Sequence, residues 1–300
     1  MLNIIGHKKI WFTISGTLIV LAIFAIIFYG FKESAEFKGG TLLEFSAIAD
    51  HPSLSDIQNI FVNDLKINDA QVTLDNSTQT FIVRFDSIDE ATHQKVDNQI
   101  KNAYPSFSEL SFESVGPSVG ASLRQKSLIA ILLVILGISL YIAYAFRKAS
   151  WPVSSWKYGF VTLFTLFHDV IIPTGVLVIL GHYMGVEVDS NIVVALLVVM
   201  GFSVHDTIVV FDRIRENLLL DHGKSAFSSV VNSSVNQTMA RSINTSLTLI
   251  LVLLALYFAG PASLHFFVLI LLIGVTTGIY SSIFIASPIL TLLVPKERAK

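Results

Sequence analysis

Cysteine is absent from the 300 residues, and only 14% of them are charged. Without cysteine there is no disulfide framework, no thiolate zinc or iron–sulfur site and no thiol nucleophile. That absence leaves the compartment open. The scarcity of charge, beside 53% hydrophobic residues, excludes an ordinary soluble domain and fits a chain that crosses a membrane several times. Catalytic signatures are missing too: there is no GxxxxGK[ST] phosphate loop and no GxSxG serine elbow. ATP bound to this chain is therefore not its source of work. Internal repeats and low-complexity segments are also lacking. The formal net charge of −2 decides nothing by itself; the placement of the basic residues does.

What is present is a series of long apolar runs. Ile10–Tyr29 follows Lys8-Lys9, exceeds the usual hydrophobic core of a signal peptide and lacks an A-x-A-like cleavage site, so it reads as an uncleaved first span. Five further runs lie at about 127–146, 158–181, 190–211, 241–259 and 264–294, each compatible with one helix. The last is long enough to tilt, or to begin with an interfacial piece. Between the first two runs the chain reads as a soluble domain. Strands are expected at Thr41–Ala47, Ala70–Leu74, Thr80–Phe85 and Leu110–Val115, with a turn at Asp75-Asn76-Ser77. Helices are expected at Leu54–Phe61, capped by Ser53 or Ser55, and at Ile88–Ala103. This β-α-β-β-α-β order is the ferredoxin-like pattern. The expected fold is an all-α membrane bundle of six transmembrane helices with an α+β ferredoxin-like domain between helices 1 and 2. Its divisions are 1–30, 31–124 and 125–300.

Lys and Arg set the expected orientation. One side holds Lys8, Lys9, Arg147, Lys148, Lys157, Arg213, Arg215, Lys224, Arg241, Lys296, Arg298 and Lys300; the opposite short loops, 182–189 and 260–263, hold neither residue type. Both termini are thus expected in the cytoplasm and residues 31–124 outside, which is the periplasm in a double-membrane bacterium.

Polar groups inside the apolar runs carry the chemistry. Asp206 lies about 9 Å inside Asp212 at helical rise. A charge at bilayer depth costs at least roughly 2.5–3.5 kcal/mol, so it needs a partner, a proton or water. Two readings stand: a helix-end acid paired structurally, or a carboxylate that carries protons. Its short side chain cannot snorkel as Lys or Arg does. His205 precedes it, but adjacent helix residues point about 100° apart. Arg241, Asn244, Thr245 and Thr248 follow helical spacing. Arg241 is either a boundary anchor or, with this stripe turned inward, the counter-charge of Asp206. His168-Asp169 lies midway along the third span, with Thr162 and Thr165 on Asp169's side and Pro173 beyond. Asp169 is either a second protonatable acid or a structural hydrogen-bonding group. The two His-Asp pairs also raise a metal site, though without the i, i+4 geometry that faces two ligands together. Asp212, Arg213, Arg215 and Glu216 read as solvated helix-end charges. Gly39-Gly40 enters the soluble domain and Gly116-Pro117 leaves it, where they read as turns and hinges.

Phe37-Lys38-Gly39-Gly40-Thr41, Val115-Gly116-Pro117, the run from His205 to Asn217 and Arg241-Ser242-Ile243-Asn244-Thr245-Ser246 together resemble the SecD/SecF family, on its SecF side, over essentially the whole chain. The long central run is the specific part. The resemblance implies a bacterial inner-membrane subunit, similar in architecture to resistance-nodulation-division (RND) transporters, that joins SecD in SecDF. It implies use of the proton motive force to assist preprotein export through SecYEG after SecA, with YajC and YidC as further partners, no cofactor and no nucleic acid. It places Asp206 and Arg241 on the proton path. Glu36 departs from the family's frequent Asp, and His205 from its frequent Asn. Two alternatives are an RND-type exporter half for small molecules or lipids, and an intramembrane metallohydrolase.

Overall fold

The computed structural model describes residues 2–294 apart from 48, 49, 51, 68, 76–78 and 148–152. Residues 76 and 77 of the expected turn lie outside the described residues, as do Lys148, Lys296, Arg298 and Lys300. The chain divides into two compact units. A helical unit comprises Met1–Lys32, Ala130–Val186 and Asn191–Lys300; an α+β unit comprises Glu33–Ile129 and Glu187–Ser190.

The α+β unit runs α2 (Ala35–Lys38), β1 (Gly40–Ser46), α3 (Leu54–Asn59), β2 (Gln71–Asp75), β3 (Thr80–Phe85), α4 (Glu90–Ala103) and β4 (Ser108–Val115). The sheet order is β2-β3-β1-β4 with every neighbouring pair antiparallel. The β-α-β-β-α-β succession is thus present, preceded by one short helix turn. Alternation along the strands turns Leu43, Phe45, Phe81, Val83 and Phe85 to one face, where Ile57, Phe61, Val96 and Ile100 of the helices cover them. Caps explain the helix starts. Ser53, not Ser55, caps α3: its Oγ accepts from Asp56 N at 3.2 Å while its own N donates to Asp56 Oδ2 at 3.1 Å. Asp89 Oδ1 accepts from Thr92 N at 2.9 Å and starts α4 two residues after the expected boundary. Helix α3 continues as a π turn over Ile60–Asp64.

The helical unit is built from α1 (Lys8–Tyr29), α5 (Pro117–Ala145, whose first turns belong to the α+β unit), α6 (Ser155–Met184), α7 (Ser190–Asp221), α8 (Phe227–Ala259), α9 (His265–Ser281) and α10 (Ser287–Leu292). A π turn, Ser282–Ala286, joins the last two. Among the described residues six helical spans are long and apolar enough to cross a membrane, α9 to α10 counting as one. A 3-10 turn at Ala262–Leu264 precedes the sixth span.

Two boundaries correct the sequence reading. Residues 212–240, which lie between the fourth and fifth apolar runs, are largely helical: α7 runs on to Asp221 and α8 starts at Phe227. Hydropathy marks only the part of a helix that crosses lipid. The extension carries its own apolar stripe, with Phe227, Val230, Val231, Val235 and Thr238 buried at helical spacing. Arg213 Nε donates to Gln237 Oε1 at 2.6 Å, and Asn217 Nδ2 donates to Ser234 Oγ at 2.8 Å, tying the two extensions together. Asn232 Oδ1 accepts from the Ile4 and Ile5 N–H groups at 2.9 and 3.2 Å and so fastens the N-terminal turn to α8. Phe146, Tyr158 and Phe211 pack as an aromatic cluster, with Phe146 and Tyr158 centroids 4.9 Å apart.

Candidate functional site

Asp169, on α6, is fully buried beside a fully buried His168. Three helices supply its partners. Oδ1 accepts from His168 Nδ1 at 2.7 Å, and Oδ2 accepts from Ser203 Oγ of α7 at 2.5 Å and Ser281 Oγ of α9 at 2.6 Å. His168 Nε2 lies 3.1 Å from Ser15 Oγ of α1. Ser15 in turn reaches Tyr280 OH at 3.5 Å, and Tyr280 donates to the Trp11 carbonyl at 3.1 Å. Close packing makes this possible. At Gly278 an added Cβ would lie 3.2 Å from Ser203 Cβ and 3.8 Å from Asp169 Oδ2, so glycine lets α9 approach both helices. Pro173 lacks an N–H, which leaves the Asp169 carbonyl without its usual i+4 donor.

Asp206, on α7, is 5% exposed, and its Oδ2 makes no hydrogen bond. The hydroxyls facing it are Ser242 of α8 and Ser282 at the start of the π turn. Ser242 and Ser246, one turn apart on α8, are each 1% exposed and their hydroxyls are also unpaired. Ser282 Oγ donates to the Gly278 carbonyl at 2.9 Å and lies 2.9 Å from Thr207 Oγ1. Two buried acids therefore stand at the ends of a band of hydroxyls contributed by α7, α8, α9 and the π turn. Buried carboxylates with hydroxyl neighbours can take up, pass on and release protons.

The expected residues do not all meet there. Arg241, Asn244, Thr245 and Thr248 are exposed, so the expected inward stripe faces away from the core. The buried face of α8 is instead Ser234, Thr238, Ser242 and Ser246, offset by one residue. No ion pair joins Arg241 to Asp206. His205 is exposed while its neighbour Asp206 is buried, as their angular separation requires. Thr162 and Thr165 donate to carbonyls of their own helix and take no part in the band. Gly39 and Gly40, read with Gly116 and Pro117 as hinges, sit in one tight crossing of the α+β unit. At Gly39, with φ +80°, a Cβ would lie 2.6 Å from Pro117 Cα; at Gly120 it would lie 2.9 Å from Gly39 N. Neither His-Asp pair forms a ligand set. Among the described residues the group with metal-ligand spacing is His93, Asp97 and Glu109, in the α+β unit.

Ser15, Ser203, Tyr280, Ser281, Ser282, Ser242 and Ser246 escaped the sequence reading. Single serines are cheap in membrane helices and carry no charge. The adjacent Ser281-Ser282 within an apolar run, one turn after Gly278, was the available signal.

Comparison with known proteins agrees with this architecture. A family profile described as "Protein export membrane protein SecD/SecF, C-terminal" matches residues 95–296. The protein translocase subunit SecF of Thermobaculum terrenum is 40% identical over 306 aligned residues, covering 97% of this chain and 93% of that one. The same-named subunit of Anaerolinea thermophila is 38% identical, covering 97% and 94%. The crystal structure of SecDF, a translocon-associated membrane protein from Thermus thermophilus, superposes with a TM-score of 0.80 at 29% identity. It covers 97% of this chain, which spans only 38% of that longer one. Six apolar helices, a four-stranded βαββαβ unit and these matches over nearly the whole length lead to one assignment: the chain belongs to the SecD/SecF family of protein-export membrane proteins.

Proposed function

We propose that this chain is the SecF-type subunit of the bacterial Sec protein translocase, paired with a SecD-type chain. In this reading it draws on the proton motive force to assist preprotein export through SecYEG after SecA, and YajC and YidC are further partners. The observation that carries the proposal is Asp206, a buried carboxylate with an unpaired oxygen inside a six-span membrane bundle. Asp206 takes and releases the transported proton. Asp169, linked through the serine band, is the second acid of the path, with His168 orienting it. Arg241, one residue from Ser242 on an exposed face, acts on the path from outside the buried band, and Asn244 and Thr245 share that face with it. His205, next to Asp206 in sequence but on an exposed face, is a further polar residue of the path. Gly39-Gly40 and Gly116-Pro117 set how the α+β unit is anchored. The distribution of Lys and Arg supports an inner-membrane protein with cytoplasmic termini and a periplasmic α+β unit.

The test replaces Asp206 with Asn in cells lacking the native copy and follows preprotein export together with proton flux in membrane vesicles. Loss of both is expected. Export and flux equal to the parent would eliminate the proton role.

A further inference from the structure

His93 of α4 and Glu109 of β4 meet inside the α+β unit, and neither takes part in the band of hydroxyls around Asp169 and Asp206. On α4, His93, Val96, Asp97 and Ile100 share one face at helical spacing. Val96 and Ile100 are fully buried in the core against the sheet. His93 and Asp97 stand beside them, with side chains 12% and 21% exposed. Glu109 comes from the edge strand of the sheet, and its Oε2 lies 2.7 Å from His93 Nε2. Asp97 Oδ1 lies 3.9 Å from the same nitrogen. Each of the three residues thus offers one ligand atom within 4.8 Å of the other two.

Strand β4 is bent to make this meeting possible. A regular strand would send residues 109 and 112 to opposite faces. The β1–β4 register shifts between Glu44 and Phe45, which pair with Ser111 and Glu109, so Leu110 is the extra residue of a bulge. With that residue inserted, Glu109 reaches His93 Nε2 while Phe112 stacks on the imidazole, the ring centroids 3.5 Å and the planes 6° apart. The stack fixes the plane of the ring. At its other nitrogen, Glu90 Oε2 lies 3.4 Å from Nδ1, the carboxylate–imidazole pairing that orients a metal-binding histidine. Asp97 completes the set. Its Oδ2 accepts from Lys101 Nζ at 3.3 Å, whereas Oδ1, on the His93 side, is buried and makes no hydrogen bond. A buried oxygen left without a donor is costly, and a cation held by the cluster would satisfy it.

We infer that His93 Nε2, Asp97 Oδ1 and Glu109 Oε2 form a Zn²⁺-binding site that pins the edge strand β4 to α4. The imidazole selects a first-row transition metal over Ca²⁺ and Mg²⁺, which take oxygen ligands. Tetrahedral ligands about 2.0–2.1 Å from zinc stand roughly 3.3 Å apart. The 2.7 and 3.9 Å separations bracket that spacing, and Glu109, 30% exposed, is the ligand with room to shift. Binding sends the proton held between His93 Nε2 and Glu109 Oε2 to solvent and puts the metal in its place. Three protein ligands make an exchangeable site rather than a closed four-ligand one. The site stands apart from the proton role of Asp206.

The test uses the full chain, purified without a polyhistidine tag, stripped with chelator and titrated with zinc chloride against a chromophoric chelator. Slightly alkaline buffer keeps protons from competing for His93. Equimolar, saturable uptake is expected. His93→Gln and Asp97→Asn are expected to weaken it by about 100-fold, and Glu90→Gln by about tenfold, as for a residue that orients a ligand. His222→Gln, an exposed histidine of the helical unit, should leave it unchanged. Zinc is also expected to slow hydrogen exchange across Ser108–Val115 in the parent and not in Asp97→Asn, a readout that stands even if His93→Gln fails to fold. No saturable uptake, uptake unchanged in both ligand variants, displacement of zinc by equimolar Ca²⁺, or no protection of Ser108–Val115 would each overturn the site.

Discussion

His93 shows how much one side chain in the α+β unit depends on its surroundings. Its side chain is 12% exposed, stacked on the Phe112 ring at 3.5 Å, with Nε2 2.7 Å from Glu109 Oε2 and 3.9 Å from Asp97 Oδ1. Nδ1 lies 3.4 Å from Glu90 Oε2, and Lys101 pairs with Asp97 from the next turn of α4. Burial by itself lowers the imidazole's affinity for a proton, but hydrogen bonds to Glu109 and Glu90 and the charges of Glu109 and Asp97 outweigh it and hold the pKa above the usual value. A raised pKa in the folded state favours folding most fully below the unfolded value of about 6.5, and the benefit fades as pH rises through the folded value. Strand β4 should therefore loosen from α4 with rising pH. Hydrogen exchange across Ser108–Val115, corrected for the intrinsic pH dependence, is expected to speed up above neutrality, and His93→Gln is expected to abolish that slope. At the same scale, the two intramembrane acids were legible in the sequence because a carboxylate in an apolar run stands out. Their serine partners were not, since a hydroxyl becomes informative only once a carboxylate is seen opposite it.

Elements differ in how openly the sequence announces them. Strands β1 and β3 alternate clearly, and Ser53 stands before α3, so these could be placed within one or two residues. The extensions of α7 and α8 beyond their apolar runs could not, because their polar faces lower mean hydropathy below that of a span although their apolar stripe remains helical. Glycines divide the same way. Gly16, on α1, has nothing within 4 Å of an added Cβ, whereas Gly39 combines φ +80° with a Cβ position 2.6 Å from Pro117 Cα. Gly39→Ala is expected to destabilise the α+β unit by roughly 1–3 kcal/mol or more through overpacking. Gly16→Ala should be neutral or stabilising by up to about 1 kcal/mol, since alanine is the better helix former. Limited proteolysis against temperature distinguishes them: only the Gly39 variant should be cut early within residues 33–116.

For the whole molecule, the arrangement of charged loops is the feature that decides orientation. Gln94 on α4 and His222 between α7 and α8 are both exposed, and no cysteine competes for label. Gln94→Cys is expected to react with a membrane-impermeant maleimide once only the outer membrane is opened, and His222→Cys only after the inner membrane is breached. The reverse pattern would invert the proposed topology.

The sequence by itself determined the number of spans, the βαββαβ succession and the two buried acids. All of these follow from local periodicity, residue chemistry and the cost of charge in lipid. Tertiary structure alone decided which face of α8 turns inward, so that Ser242 and Ser246 rather than Arg241 and Asn244 line the band. It also decided that Asp169 is shared by α6, α7 and α9, and that Glu36 meets Ser190 across 154 positions of sequence. Those outcomes depend on how distant helices and loops pack against one another, and no stretch of the chain encodes a contact whose other half lies elsewhere.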